Sequence, residues 1–425
     1  MKTIIRPVWL VVLLVGIAGM ARSEHKVLDS LIRVALDRNP GLIAIEHRYQ
    51  ASRDEANGAG ALPDPMLSIG FLNLPRSSLA LDKTPMSGVV VGLSQTVPWP
   101  GKLRGRTRLA DIESSRRGEK LSLARFHLAA ELARSYYDYA FQVLSFTVIA
   151  ENKRLAETVA AIAGERYANG EIPAREMLRS AMHAERLGVR LLGAEQNIES
   201  ARLKLERILG NPIDDDLAAI LPQDIPIQIP ADEDPVPDNP VLREAGLAVR
   251  SAGAAHDLAR SDYRPDITVG IDYRLRETVP GDPTAGEDYL SFKVGFNIPL
   301  WFFARQKKKT AATRQLVNAA RQQEIDIRNR LTERLADTRQ TIRSLQASLA
   351  GYTEKIVPRA RAAAEAARIA YEVNEADFDD FLSARNEFLE TELERLTFLK
   401  KLNKVMADYD ELVGRIHNRL SLIHI

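Results

Sequence analysis

Asn39-Pro40 returns as Asn239-Pro240, Pro63-Asp64 as Pro265-Asp266, and the Pro98-Trp99 that closes one apolar run as Pro299-Leu300-Trp301. Arg166-Tyr167, at the end of a long helical pattern, has its echo in Tyr371. The chain therefore repeats itself at an offset of about 200 residues, and such a repeat decides the fold before any local signal does. Each half reads as a short helix, a pair of strands, a very long helix, a turn and a second long helix. Two similar halves of this kind build something elongated.

Composition narrows the function. Lys and Arg total 58 against 57 acidic residues, spread along the helical stretches, so nothing argues for nucleic-acid binding. There is no cysteine, which excludes disulfides, thiolate metal sites, cysteine nucleophiles and a lipidated N-terminal cysteine. The seven histidines are scattered with no i, i+4 pair. Met177, Met182 and His183 do not assemble a soft-metal site. No nucleophile–base arrangement, paired-carboxylate cleft or nucleotide-binding glycine loop stands out; Gly101-Lys102 lacks the residues of a P-loop. Neither an enzyme nor a cofactor or metal protein is expected.

Lys2 and Arg6, the apolar run Val8 to Met20 and the small-residue stretch Ala21-Arg22-Ser23 read as a secretory signal over residues 1–23. No later segment offers ~20 consecutive apolar residues, so any membrane insertion of the exported chain has to use strands.

Strands are expected at 66–73, 89–97, 267–276 and 289–298. In the third, Ile267, Val269, Ile271, Tyr273 and Leu275 alternate with Thr268, Gly270, Asp272, Arg274 and Arg276. In the fourth, Leu290, Phe292, Val294, Phe296 and Ile298 alternate with Ser291, Lys293, Gly295 and Asn297. The first pair alternates too, with Val90 blurring the second strand. Apolar-out, polar-in runs of about 9–10 residues are the signature of outer-membrane barrels. A half-buried sheet in a soluble protein shares the pattern, but two equivalent hairpins behind a signal favour the membrane.

Long helices are expected at 101–168, 173–209, 304–373 and 376–417. The first, at 1.5 Å per residue, would run ~100 Å. Phe126, Ala130, Ala133, Tyr137, Ala140 and Leu144 form a seam of alternating four- and three-residue steps. Leu335, Thr338, Ile342, Leu345, Leu349, Tyr352 and Ile356 form another, and Pro358 should bend or cap that helix. The halves are thus 24–220 and 239–425, joined by a linker at 221–238. Four strands cannot close a membrane barrel, and open edges in lipid are forbidden. Copies must associate.

The signal, the repeats, each strand–loop–strand followed by a long helical hairpin, and the segment Val97-Pro98-Trp99-Pro100-Gly101-Lys102-Leu103 together resemble the TolC family of outer-membrane efflux proteins. The resemblance covers essentially the whole exported chain. It implies a mainly α fold with a small β part: a homotrimer in which four strands per chain close a twelve-stranded barrel, continued by a coiled-coil helical tunnel through the periplasm. It also implies a passive exit duct of a tripartite system, partnered by a periplasmic adaptor and an inner-membrane RND-type transporter. The Pro98 to Leu103 run resembles the branch that exports cobalt, zinc, cadmium or copper, so heavy-metal cations are the expected cargo. Drug efflux, type I secretion and a periplasmic scaffold without a channel are the alternatives.

Two sets of residues follow. Trp99 and Trp301 sit where an aromatic belt would meet the inner leaflet, and Lys102, Arg104, Arg305 and Lys307 follow them, able to meet outer-membrane lipid phosphates or solvent. By resemblance, the turns carrying Asn169, Gly170 and Glu171, and Val373, Asn374 and Glu375, are the periplasmic tips that dock the adaptor. The resemblance places the gate at Asp380, with Asp377 one turn before it and Glu176 as the first-repeat counterpart. Ser383 and Ala376 stand where the family often carries a second acid and a basic gate link. Asp377 equally suits an ordinary N-cap.

Overall fold

The computed structural model describes residues 27–213, 217, 220, 239–373 and 375–416. The signal and linker expected from the sequence, and Asn374, lie outside the described residues. The elements, in order, are α1 (27–38), α2 (Pro40–Gly58), β1 (Met66–Leu72), β2 (Gly88–Val97), α3 (Lys102–Ala168) and α4 (Ala174–Leu209). The second half supplies α5 (Pro240–Ser261), β3 (Ile267–Leu275), β4 (Tyr289–Phe296), α6 (Gln306–Gly351), a π turn (Tyr352–Ile356), α7 (Val357–Glu372) and α8 (Phe378–Val413). No helix among the described residues is long and apolar enough to cross a membrane. The chain forms two compact units, and each draws on both halves of the sequence.

One unit holds 47–120 and 241–327, and with them the sheet. Its four strands run antiparallel in the order β1-β2-β3-β4. The register aligns Leu67, Leu93, Ile271 and Phe292 in one row, and Ser68, Gly92, Asp272 and Ser291 in the next. Because side chains alternate at every residue, one face is apolar and exposed and the other polar. Val90, the residue that blurs the sequence pattern, falls on the polar face in register with Gly70, Arg274 and Tyr289. Beside the sheet, Arg116 Nε donates to Glu244 (2.8 Å) and Arg243 Nε to Glu119 (3.2 Å), tying α3 to α5. The α2–α3 approach is close, since a Cβ at Gly118 would lie 3.2 Å from the Tyr49 ring.

The β3–β4 loop is folded around an ion pair. Arg276 and Asp282 are paired with side chains only 1% and 2% exposed. Arg276 Nη1 also donates to Thr284 Oγ1 (2.8 Å), and Asp282 Oδ1 accepts from the Thr284 N–H (3.1 Å). Backbone and hydroxyl donors and the guanidinium hold the Asp282 carboxyl below its usual range, against desolvation, the largest influence, which pushes it up.

Of the described residues, the other unit holds 27–46, 121–213, 217, 220, 239–240 and 328–416. The predicted α3 seam is its core: Ala130, Ala133, Tyr137 and Ala140 are buried, with Phe126 and Leu144 half-buried at its ends. Ala156, Ala184, Leu187 and Leu389 bring α3, α4 and α8 together. Arg134 Nη1 bonds Asp408 (2.5 Å), and Lys404 Nζ bonds Asp138 (2.8 Å), across α3 and α8.

The second seam follows the sequence as far as Tyr352: Leu335 and Ile342 are buried, and Thr338, Leu345, Leu349 and Tyr352 half-buried. Proline lacks the N–H that would bond four residues back, and its ring crowds that carbonyl. At Pro358 the helix neither stops nor caps; it widens into a π turn with helical backbone on both sides. The extra residue shifts the seam by one. Ile356, expected inside, is exposed, and Val357, Ala364 and Tyr371 are buried in its place.

The repeated Asn-Pro has a shared task. Asn39 Nδ2 donates to the Ile208 carbonyl (2.9 Å) while its Oδ1 accepts from the Leu42 N–H (3.1 Å). Asn239 Nδ2 donates to the Leu412 carbonyl in the same way. Each asparagine thereby satisfies a carbonyl that the end of a long helix leaves without a partner. Each of those helices, α4 and α8, then turns on a left-handed glycine, Gly210 or Gly414, both at φ 71°.

Candidate functional site

On the polar face of the sheet, glycines make room for charge. A Cβ at Gly92 would come within 2.5 Å of Asp272 Oδ1 and 2.7 Å of Ser68 Oγ. Asp272 is ion-paired with Lys293 on the neighbouring strand. Thr96 and Thr268 hydroxyls meet at 3.2 Å two steps along the same face. A face of Ser, Thr, Gly and paired charge suits water, and its opposite, carrying Leu67, Phe71, Phe292 and Val294, suits lipid.

Each hairpin passes into its long helix through a short Pro/Trp junction, and the two junctions differ. At the first, Asp266, just before β3, accepts the Trp99 N–H (2.9 Å) and the Lys102 ammonium (2.7 Å), whose second partner is the Arg264 carbonyl (2.8 Å). The Lys102 side chain is 7% exposed and that of Asp266 22%. Lys102 is thus consumed within the chain rather than presented to lipid phosphate or solvent. Burial pushes the Asp266 carboxyl up, but the Lys102 and Trp99 hydrogen bonds outweigh it and hold the group below its ordinary value. Arg104 remains exposed.

At the second junction the turn lies open among the described residues. Trp301 is 78% exposed, and Phe302 and Phe303 are exposed beside it. Arg305 is exposed, and Lys307 lies over the Phe303 ring at 5.5 Å.

The two tips also differ. The first is polar: Gly170 takes φ 78°, and Glu171 accepts from Arg166 Nε (3.3 Å) and Asn169 Nδ2 (3.3 Å). The second is built on rings. Tyr371 stacks on Phe381 at 5.6 Å and meets Phe378 edge-on at 5.7 Å, with the Arg166 guanidinium 5.4 Å above it. Burial pushes the Tyr371 phenol above its usual value. Val373 and Glu375 lie exposed at the turn. Asp377 is the N-cap of α8, accepting the Asp380 N–H at 2.9 Å. Asp379 pairs with Arg179 of α4. Asp380 is exposed, and no side chain among the described residues pairs with its carboxylate; Glu176, in the first turn of α4, is half-buried. The aromatic cluster and the Asp266–Lys102 pair escaped the sequence reading. The repeated Pro-Asp was the one signal that could have found the latter.

An antiparallel sheet with one lipid-compatible and one polar face, joined to helices far longer than a globular domain needs, defines an outer-membrane efflux duct. The chain belongs to the outer membrane efflux protein family, whose family model matches residues 31–211 and 237–408. It is an outer-membrane efflux channel of the TolC type, not an enzyme. Solved channels share its fold. The CmeC outer membrane channel of Campylobacter jejuni is 14% identical, with 91% of this chain and 85% of that one covered at a TM-score of 0.77. The open-state MtrE outer membrane channel of Neisseria gonorrhoeae is 17% identical, with 91% and 89% covered at 0.77. CusC, studied for transmembrane channel formation, is 15% identical, with 91% and 92% covered at 0.76. A search of curated proteins finds no match.

Proposed function

We propose that three copies close the barrel and form the passive exit duct of a tripartite pump for heavy-metal cations. The observation that carries closure is the sheet itself: β1 and β4 end it with unpaired backbone edges, and the apolar face is exposed. Lipid cannot satisfy those edges, so copies pair them, and three copies make twelve strands. Residues 1–23 are removed on export, and the halves 24–220 and 239–425 each contribute one hairpin per copy. The first tip (Asn169, Gly170, Glu171) and the second (Val373, Asn374, Glu375) dock the adaptor, which links the duct to an RND-type transporter. Asp380 rings the closed end, with Asp377 and Glu176 beside it.

Carboxylates brought together on a narrow axis attract cations to the mouth. Asp380→Ala should therefore raise single-channel conductance in planar bilayers and abolish block by divalent cations. Unchanged conductance and block would remove Asp380 from the gate. The metal cargo rests on the Pro98 to Leu103 run. Growth of a deletion strain across zinc, cobalt, cadmium, copper and silver, beside dyes, detergents and antibiotics, tests it. Sensitivity confined to metals supports the cargo; sensitivity to amphiphilic drugs keeps the duct and replaces the cargo.

A further inference from the structure

The Asp266 lock needs two hairpins side by side. Asp266 stands at the start of β3, and the junction it covers leaves the end of β2, the adjacent strand. Its corner is fixed by its own hairpin, where Asn297 on the chain leaving β4 accepts the Asp266 N–H. The first repeat carries the same Pro-Asp before β1. There Gln95 of β2 donates Nε2 to the Pro63 carbonyl (2.7 Å) and so holds the corner at Pro63-Asp64. Asp64 is exposed, and its carboxylate has no partner among the described residues.

The reason is topological. β1 is an edge strand, so no second junction of the same chain lies beside Asp64. The second junction follows the other edge strand, β4, and is complementary. The Trp301 N–H and the Arg305 guanidinium have no partner among the described residues, and both residues are exposed. α6, like α3, has no acid in its first turn. A carboxylate there is favoured by the helix dipole and by the cluster Arg305, Lys307 and Lys308.

We infer that Asp64 of one copy completes the second junction of its neighbour, accepting the Trp301 N–H and the Arg305 guanidinium as Asp266 accepts the Trp99 N–H and the Lys102 ammonium. The inference rests on the closure of the sheet by copies of this chain. It assigns a specific ion pair to each seam between copies, at the level where the barrel meets the helices.

The absence of cysteine makes the test clean. In the full chain in outer membranes, Asp64→Cys with Trp301→Cys should oxidise to covalently joined copies, while either change alone should not. Asp266→Cys with Trp99→Cys is the internal ruler: it should join one chain to itself and leave its mass unchanged. Asp64→Arg should lower the temperature at which the SDS-resistant assembly separates, and adding Arg305→Asp should raise it again. This charge swap decides the matter if the cysteine pair does not insert. A wild type that forms the SDS-resistant assembly, with D64R separating at the wild-type temperature and D64C/W301C never joining, overturns the pairing and leaves the closed barrel standing. A wild type that forms no assembly overturns both.

Discussion

The two strand-to-helix junctions come from one repeated sequence pattern and end in opposite states. The first is roofed by Asp266, with Lys102 buried beneath it; the second leaves Trp301 and Arg305 in the open. The local sequences do not explain this, since both carry Pro, Trp and basic residues. Position in the sheet does: β2 lies between β1 and β3 of the same chain, whereas β4 pairs with β3 alone and is an edge among the described residues. Where a duplicated motif is satisfied once within the chain and left unsatisfied at an edge, the second copy of the motif describes the interface.

The comparison is broken most strongly at the covered junction. Asp266→Ala strands a buried ammonium, which should cost about 3–5 kcal/mol, read as a lowered unfolding temperature of the solubilised chain. Adding Lys102→Met should recover most of it. Asp64→Ala should cost nothing in a dissociated chain and show its effect only in the assembly. A large loss in dissociated Asp64→Ala would erase the distinction between the junctions.

The Asn-Pro pair supplies the control, because both copies of that motif are satisfied within the chain. Asn39→Ala and Asn239→Ala should each cost about 1–3 kcal/mol, in similar amounts, by thermal unfolding. Very unequal losses would mean the halves differ beyond the sheet edge.

Acid should sharpen the contrast by a smaller margin. The Asp266 carboxyl sits below its ordinary value in the folded chain, so its contribution is complete above that ordinary value and fades as pH falls through the lower, folded one. Wild type should lose stability there and Asp266→Asn should not, as followed by unfolding temperature against pH. The smallest effect belongs to His183, in the helical unit. Burial first, and Arg186 second, lower its pKa, so stability is full above the ordinary value near 6.5 and declines as pH falls below it. His183→Gln should remove that decline.

Much of this architecture was legible because it repeats with a period set by geometry. The strands could be read from alternation, since lipid and water demand different residues on the two faces, and the α3 seam from its four- and three-residue steps. The second seam failed at Ile356 because a single proline changes the helical period locally, and no hydrophobic count registers that. Lys102 read as a free cation because the carboxylate that claims it lies 164 residues away. The Arg276–Asp282 pair was not legible because burial there is made by the loop's own fold, and the aromatic tip was not because Tyr371 and Phe381 meet only across a turn.

The most direct measurement of the central claim is the native mass of the full chain extracted from outer membranes in mild detergent. The account predicts a species of three exported chains that collapses to one on heating. A monomer or a dimer under the same conditions would contradict it, since neither four nor eight of these strands makes the twelve-stranded duct.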